Sequence, residues 1–240
     1  FLLAQLGADV VLVEPVGGRE RNSHFDAYGR GKRSVTAAAT DDVVRLAGTA
    51  DVVITDHSLV IAPTMDELRA VDPALVTVSL TPFGETGPKA QWKATDLTLF
   101  ASSGQLICTG DKDRPPVRIS VPQAWAHACC QAAVAALVAL EDRAHTGLGQ
   151  HVDLSAQQAV SESALPANYN AAAGLAQVER ISGGIKFGAQ ELRWVHQCAD
   201  GLIIATIAFG PMIGPMIGRF VNWMHQEGAC DDEMQQHDWV

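Results

Sequence analysis

The side chains able to do chemistry are unevenly spread along this chain, and one stretch matters for what it lacks. Residues 119–140 hold no aspartate or glutamate, and Trp125 stands near their start. An indole offers one N–H donor and no nucleophilic oxygen, so this stretch cannot supply a carboxylate that attacks a carbonyl carbon. Candidate acids outside it are Asp96, Asp111, Asp113 and Asp142. Asp96 opens a helical pattern, while the other three flank turns, where a solvated carboxylate is expected. Arg30, Lys32 and Arg33 form a basic run able to meet an anion, although a solvated charged loop is the plainer reading. Gly17-Gly18 follows an apolar run as a phosphate-cradling turn would, but no GxGxxG is present and a tight turn is expected. His145 and His151 flank a turn and are expected at the surface. His225, His237 and Cys230 lie near several acids at spacings that fit no familiar metal site.

The five cysteines are odd in number, two are adjacent, and no CxxC pair exists. A disulfide framework and a structural zinc site are both disfavoured. Cys129-Cys130 reads as small apolar packing in a helix. Cytoplasm is therefore the default compartment. Hydrophobic residues make up 48% of the 240 residues and charged residues 18%, which excludes a disordered chain. The 27 acidic against 17 basic residues give a net charge of −10, which argues against a nucleic-acid backbone as the main partner. One local basic or amide-lined pocket for a small anionic ligand remains compatible with that balance.

The elements that must position these side chains alternate between two periods. Gly7 sits where a glycine cap closes an apolar helical stretch. The opening, without Met or a basic n-region, reads as the last turns of a helix whose beginning is absent, so a fragment is expected and no signal peptide is read. Residues 10–13 form a β-branched run that suits a strand buried on both faces. Helical spacing over 41–47 and 66–71 alternates with strands at 50–54 and 75–80, which predicts an α/β fold with a parallel sheet. Residues 96–107 return to a helical pattern. The strongest helix, 125–140, carries no charge and is expected to be buried on nearly all sides, yet it is shorter than the ~20 residues of a bilayer span. Thr146-Gly147-Leu148-Gly149 stops it, and 150–154 is another strand. A long Ala-rich helix is expected over 155–176. Antiparallel strands follow over 191–207, then a core strand and loop within 201–218 that enter a helix at 216–227. A boundary near 180 divides a large domain, 1–180, from the start of a smaller α+β domain, 181–240.

Four segments in register carry a resemblance. They are Leu6-Gly7-Ala8-Asp9-Val10-Val11-Leu12-Val13-Glu14-Pro15, Gly29-Arg30-Gly31-Lys32-Arg33-Ser34-Val35, and Val78-Ser79-Leu80-Thr81-Pro82-Phe83-Gly84-Glu85-Thr86-Gly87-Pro88. The fourth is Pro115-Pro116-Val117-Arg118 with, at fixed distance, Arg143-Ala144-His145-Thr146-Gly147-Leu148-Gly149-Gln150-His151-Val152-Asp153. Together they resemble the family III, CaiB/BaiF-type, CoA-transferases. The resemblance implies a Rossmann-like large domain whose first strand this chain lacks, a partial small domain, and two chains threaded as interlocked rings. It also implies acyl-CoA and a carboxylic acid as substrates, with CoA moved between them and no permanently bound cofactor. Neither a nucleic acid nor a membrane is an implied partner.

In that family an aspartate attacks the thioester carbonyl and forms an acyl anhydride. Counting without gaps from Pro115 to Arg143 puts Trp125 at that position. The racemase branch of the family would need a histidine where this chain has Thr95, which disfavours racemisation. For the CoA pocket the resemblance points to Lys93, near the nucleotide portion, and to Ala37 and Asp56, the last where many relatives carry Asn. Thr40 and Thr64 stand where basic groups occur, and Gly183-Gly184 falls near the family's glycine loop. Three readings follow: a CoA-transferase homologue, a non-catalytic subunit paired with an Asp-bearing homologue, and an acyl-CoA binding module.

Overall fold

A computed structural model of the chain describes residues 1–19, 21–175, 178–187, 190–206 and 211–239, with the side chains of 185, 187 and 190 left aside. Two compact units emerge: residues 1–106 with 118–173, and residues 107–117 with 174–240. The 107–117 excursion and everything from 174 belong to the second unit.

The first unit runs α1 (Leu2–Gln5), β1 (Val10–Pro15), α2 (Ser23–Tyr28), β2 (Lys32–Ala37), α3 (Thr40–Ala47), β3 (Val52–Thr55), α4 (Met65–Val71) and β4 (Val76–Thr81). It continues with α5 (Asp96–Ser102), α6 (Ala124–Thr146), β5 (His151–Ser155), α7 (Ala156–Ser163) and α8 (Leu165–Ala172). The β1–β2 pair is parallel, from Val10 opposite Lys32 to Pro15 opposite Ala37. A second parallel sheet has the order β3-β4-β5. Among the described residues β1 pairs only with β2, and β3 only with β4.

Strand β4 is buried along its whole length, and its period of two divides it into unlike faces. Val76, Val78 and Leu80 join Leu154, Leu99, Phe100 and Val160 in the main core. Thr77, Ser79 and Thr81 point the other way and are buried as well. At the start of the sheet, Ala47, Leu68 and Leu75 build a smaller core with Val53 and Met65.

Helix α6 meets the main core through Ala124, Ala128, Ala132, Ala136 and Ala139. That stripe of methyl groups at i, i+4 and i, i+3 spacing lets the helix backbone lie close to β4 and α7. The expectation of burial on nearly all sides is corrected: Val134, Leu137 and Val138 are exposed, at 62%, 45% and 63%. An uncharged sequence does not separate the packed face from the free one when the packed face is alanine. The helix spans 23 residues and is, among those described, the one long and apolar enough to cross a membrane. Gly147 closes it at φ +74, and the Gly147 N–H donates to the Arg143 carbonyl at 2.7 Å. The Arg143 guanidinium bonds Asp51 Oδ1 at 2.8 Å and the Ala74 carbonyl at 3.4 Å, fixing the end of α6 to the starts of β3 and β4.

The second unit holds two antiparallel pairs, β6 (Gly184–Phe187) with β7 (Gln190–Arg193) and β8 (Val195–Cys198) with β9 (Gly201–Ile204). Helices α9 (Gly214–Gln226) and α10 (Asp232–Gln236) follow. Arg180 ties the excursion down by donating to the carbonyls of Ile107, Asp111 and Arg114. Glu179 bridges Lys186 at 2.8 Å and Lys112 at 3.0 Å, and those two ammonium groups pull its carboxyl down to about 2.

Three further expectations change. The basic run 30–33 leads directly into β2, where the Arg33 guanidinium pairs with the Asp9 carboxylate instead of lying in a loop. The single long helix from 155 is two, α7 and α8, parted at Ala164 because Pro166 lacks the N–H that continuation needs; its expected end at 176 lies outside the described residues. Strand β9 is no core strand, since Leu202, Ile203 and Ile204 are exposed; its expected last residue, Ile207, is likewise undescribed.

Candidate functional site

The amino end of α6 is built by Asp96. Its Oδ1 accepts the backbone N–H of Gln123 at 2.7 Å and of Ala124 at 2.8 Å. One carboxylate oxygen thus satisfies two of the donors that every helix start leaves open and complements the helix dipole. Trp125 follows at once, partly buried against the main core. Asp96 is consumed by this task and is not poised for attack. Asp96→Ala should therefore cost about 1 kcal/mol, as loss of an N-terminal helix cap does, read as a lower denaturant midpoint with unchanged slope.

One turn beyond Trp125 lies Cys129. Desolvation first, and then Cys130, raise its thiol above the ordinary value, with Asp56 adding to the rise and the chain's amino group and Lys32 opposing it. A thiol so held is not the thiolate that nucleophilic catalysis requires. Asp56 itself lies on the segment after β3. The Asp56 Oδ1 accepts the Ser58 N–H at 2.9 Å and so shapes a tight turn.

Within that turn His57 is the sole non-glycine residue at positive φ among those described, at +55°. Its Nε2 lies 2.9 Å from Glu85 Oε1 and 2.8 Å from Ser79 Oγ. The other carboxylate oxygen of Glu85 meets His151 Nε2 at 2.7 Å, and His151 Nδ1 lies 2.9 Å from Thr77 Oγ1. The Glu85 backbone N–H donates to both oxygens of Asp153, at 3.0 and 2.9 Å, and Gly84 N–H to Thr81 Oγ1 at 2.8 Å. The polar face of β4 and β5 is therefore closed by the loop 82–88, with Glu85 as its pin. Burial pushes the Glu85 carboxyl upward, but hydrogen bonds from Ser79, His151 and His57 outweigh it and hold the group below the usual glutamate value. Among the described residues no group of three or more His, Cys, Asp or Glu has the geometry to hold a metal ion.

His151 was expected at the surface; the structure buries most of it in β5, whereas His145 is exposed beside Glu141. A signal for the cluster was present in the sequence. Thr77, Ser79 and Thr81 alternate with Val and Leu along one strand, and His151 and Asp153 do so along the next. That is the mark of a sheet with a polar inner face.

Comparison with known proteins now decides the family. The model of CoA-transferase family III matches residues 1–237. The chain belongs to this family. The probable CoA-transferase Rv1866 of Mycobacterium tuberculosis is 34% identical over 224 residues, 84% of this chain and 28% of that protein. The succinyl-CoA:(R)-benzylsuccinate CoA-transferase subunit BbsE of Thauera aromatica is 31% identical over 255 residues, 95% of this chain and 60% of that protein. A solved CaiB/BaiF family protein from Brucella suis superposes with a TM-score of 0.75 at 30% identity, covering 97% of this chain and 66% of that one. The chain thus spans less than two thirds of these relatives.

The remaining residues expected in a family III CoA pocket take varied places. Lys93 is exposed in the segment before α5. Ala37 is fully buried at the end of β2, where it offers a ligand only its backbone. Thr40 begins α3, and Thr64 is committed to a reciprocal cap with Glu67 at the start of α4. Gly183, at φ +67, and Gly184 belong to the second unit, where a Cβ on either would strike Val195 or the Leu192 carbonyl. Gly17 and Gly18 form the expected tight turn, with Gly18 N–H on the Pro15 carbonyl at 2.9 Å. An open cleft beside β2 is lined by Arg21, Arg30, Lys32, Asp26 and Arg33, the last paired with Asp9, and carries a net positive charge on an acidic chain.

Proposed function

We propose that this chain binds acyl-CoA thioesters as part of a family III CoA-transferase, and that transfer of CoA to a carboxylic acid requires an Asp-bearing homologue. The observation that carries this reading is the amino end of α6. Trp125 stands where the family's attacking aspartate is expected, Asp96 beside it is spent on two backbone N–H groups, and Cys129 is held as a thiol. No group there can accept the acyl chain and form an anhydride. That one relative, BbsE, is named as a subunit fits a divided enzyme. The basic cleft beside β2 suits the phosphates of CoA, and the edges of β1 and β3 that have no partner among the described residues suit a Rossmann-like sheet that takes one more strand. Two chains threaded as interlocked rings would bring the second carboxylate-bearing site.

The test is isotope exchange between labelled CoA and a thioester such as succinyl-CoA, in the presence of succinate. The chain alone is expected to give none, and exchange should appear on mixing with an Asp-bearing homologue. Exchange by the chain alone would overturn the divided reading. Trp125→Asp should install slow exchange in the single chain; if it stays inert while CoA still binds, the pocket has lost more than its nucleophile.

A further inference from the structure

His57 and His151 both donate a ring N–H to Glu85, yet they are not equivalent. A carboxylate only accepts hydrogen bonds, so the proton of each neutral ring sits on Nε2. In His151 the remaining nitrogen is occupied, since Nδ1 faces the Thr77 hydroxyl at 2.9 Å. In His57 the remaining Nδ1 meets no partner among the described residues, and the side chain is 45% exposed. A ring whose inner N–H is anchored on a carboxylate presents its outer lone pair as a proton acceptor, in a fixed orientation.

Its position adds to this. His57 lies beyond the carboxyl end of β3, and ligands of parallel α/β sheets bind outside the carboxyl ends of the strands. Its backbone is held at φ +55, a conformation that costs energy and persists where the surroundings enforce it. The charge of the preceding Asp56 adds to the rise of the Cys129 thiol, one turn from Trp125. Ser79 does not complete a serine triad, because it is fully buried and shares Nε2 with the carboxylate instead of occupying the opposite nitrogen.

We infer that His57, oriented by Glu85, is a general base that activates water against a bound acyl-CoA thioester, giving the chain a hydrolytic activity of its own. The inference rests on the proposed binding of acyl-CoA. The water oxygen bonds to the thioester carbonyl carbon while its proton passes to Nδ1. Collapse of the tetrahedral intermediate breaks the C–S bond, and the departing thiolate takes the proton back from Nδ1. The products are CoA thiol and a carboxylic acid, which ionises to the solvent. The ring meets Glu85 directly, His151 shares that carboxylate, Asp153 holds the Glu85 backbone N–H, and Asp56 precedes it in its own turn.

The experiment follows thiol release from succinyl-CoA without any acceptor acid, with CoA binding measured in parallel by calorimetry. His57→Asn keeps a residue that tolerates positive φ but cannot take a proton, so release should fall by about 10²–10⁴-fold with CoA binding retained. His57→Gly should lose as much and regain activity on adding imidazole, which a merely structural histidine would not do. A chain that binds CoA but releases no thiol overturns the inference and leaves the proposed function standing. So does release that survives His57→Asn. A chain that shows no heat with millimolar CoA, about −4 kcal/mol of affinity, overturns both.

Discussion

Gly149→Ala is expected to destabilise the chain by about 3 kcal/mol or more, although this glycine has an ordinary φ. A Cβ built there would lie 2.1 Å from the Leu75 carbonyl oxygen, 2.4 Å from its carbon and 2.6 Å from the Ala74 carbonyl carbon. All three are main-chain atoms, so no side chain can rotate aside. The turn after α6 would have to lift from residues 73–75 and give up the bond from Gly149 N–H to the Pro73 carbonyl at 2.9 Å. The Thr77 N–H bond to the Gln150 carbonyl, which starts the β4–β5 ladder, lies in the path of that movement. Gly147→Ala is the control: its Cβ meets nothing, so only the strain of φ +74 is added, about 1–2 kcal/mol. Thermal unfolding separates them, with the Gly149 variant melting about 6–12 °C below wild type. Equal losses for the two would show that backbone conformation, not close approach, keeps Gly149.

That pair of glycines also shows how much the sequence disclosed. Gly147 was legible as a helix stop, because an apolar helical pattern ending in glycine has one common explanation. The role of Gly149 was not, since it depends on residues 73–75 brought against it by the fold. Strands β3 and β4 stood out as β-branched runs and β5 as a short strand after a glycine stop, and the alternation with helical segments gave their parallel arrangement. Strand β2 was hidden by Lys32 and Arg33, whose charges read as loop but sit on a strand pairing with β1. The free face of α6 was hidden because Val134, Leu137 and Val138 look more deserving of burial than the alanines that are buried.

The site divided in the same way. That Trp125 stands at the start of the strongest helix was legible, because a helix and its flanking motifs are contiguous in the chain. The polar cluster was not, since His57 and Glu85 are 28 residues apart and Glu85 and His151 are 66 apart. Only the register that sets Thr77 opposite His151 and Ser79 opposite Asp153 unites them. Local pattern announces elements; side chains meeting across strands need the pairing.

Glu85→Ala is expected to be the costliest change in this cluster, about 2–4 kcal/mol, because it strips partners from groups that water reaches poorly. Ser79 is fully buried, and the side chain of His151 is only 21% exposed. With the carboxylate gone, both ring N–H groups and the Ser79 hydroxyl lose an acceptor, and the loop 82–88 keeps only its main-chain bonds to Asp153 and Thr81. Faster amide exchange over 82–88 should report that release. Glu85→Gln should cost less, about 1–2 kcal/mol, since its carbonyl serves one ring and its amide can serve the other if that ring shifts its proton to the opposite nitrogen. The pH dependence follows from the depressed carboxyl. Its contribution is complete above the ordinary glutamate value of 4.5 and fades as pH falls through the lower folded value, where the carboxylate takes up a proton. Wild type and Glu85→Ala should therefore differ most near neutrality and converge in acid, as read by denaturant midpoints at stepped pH. A gap that stayed constant down to the acid limit would mean that Glu85 acts through its bulk and not through its charge.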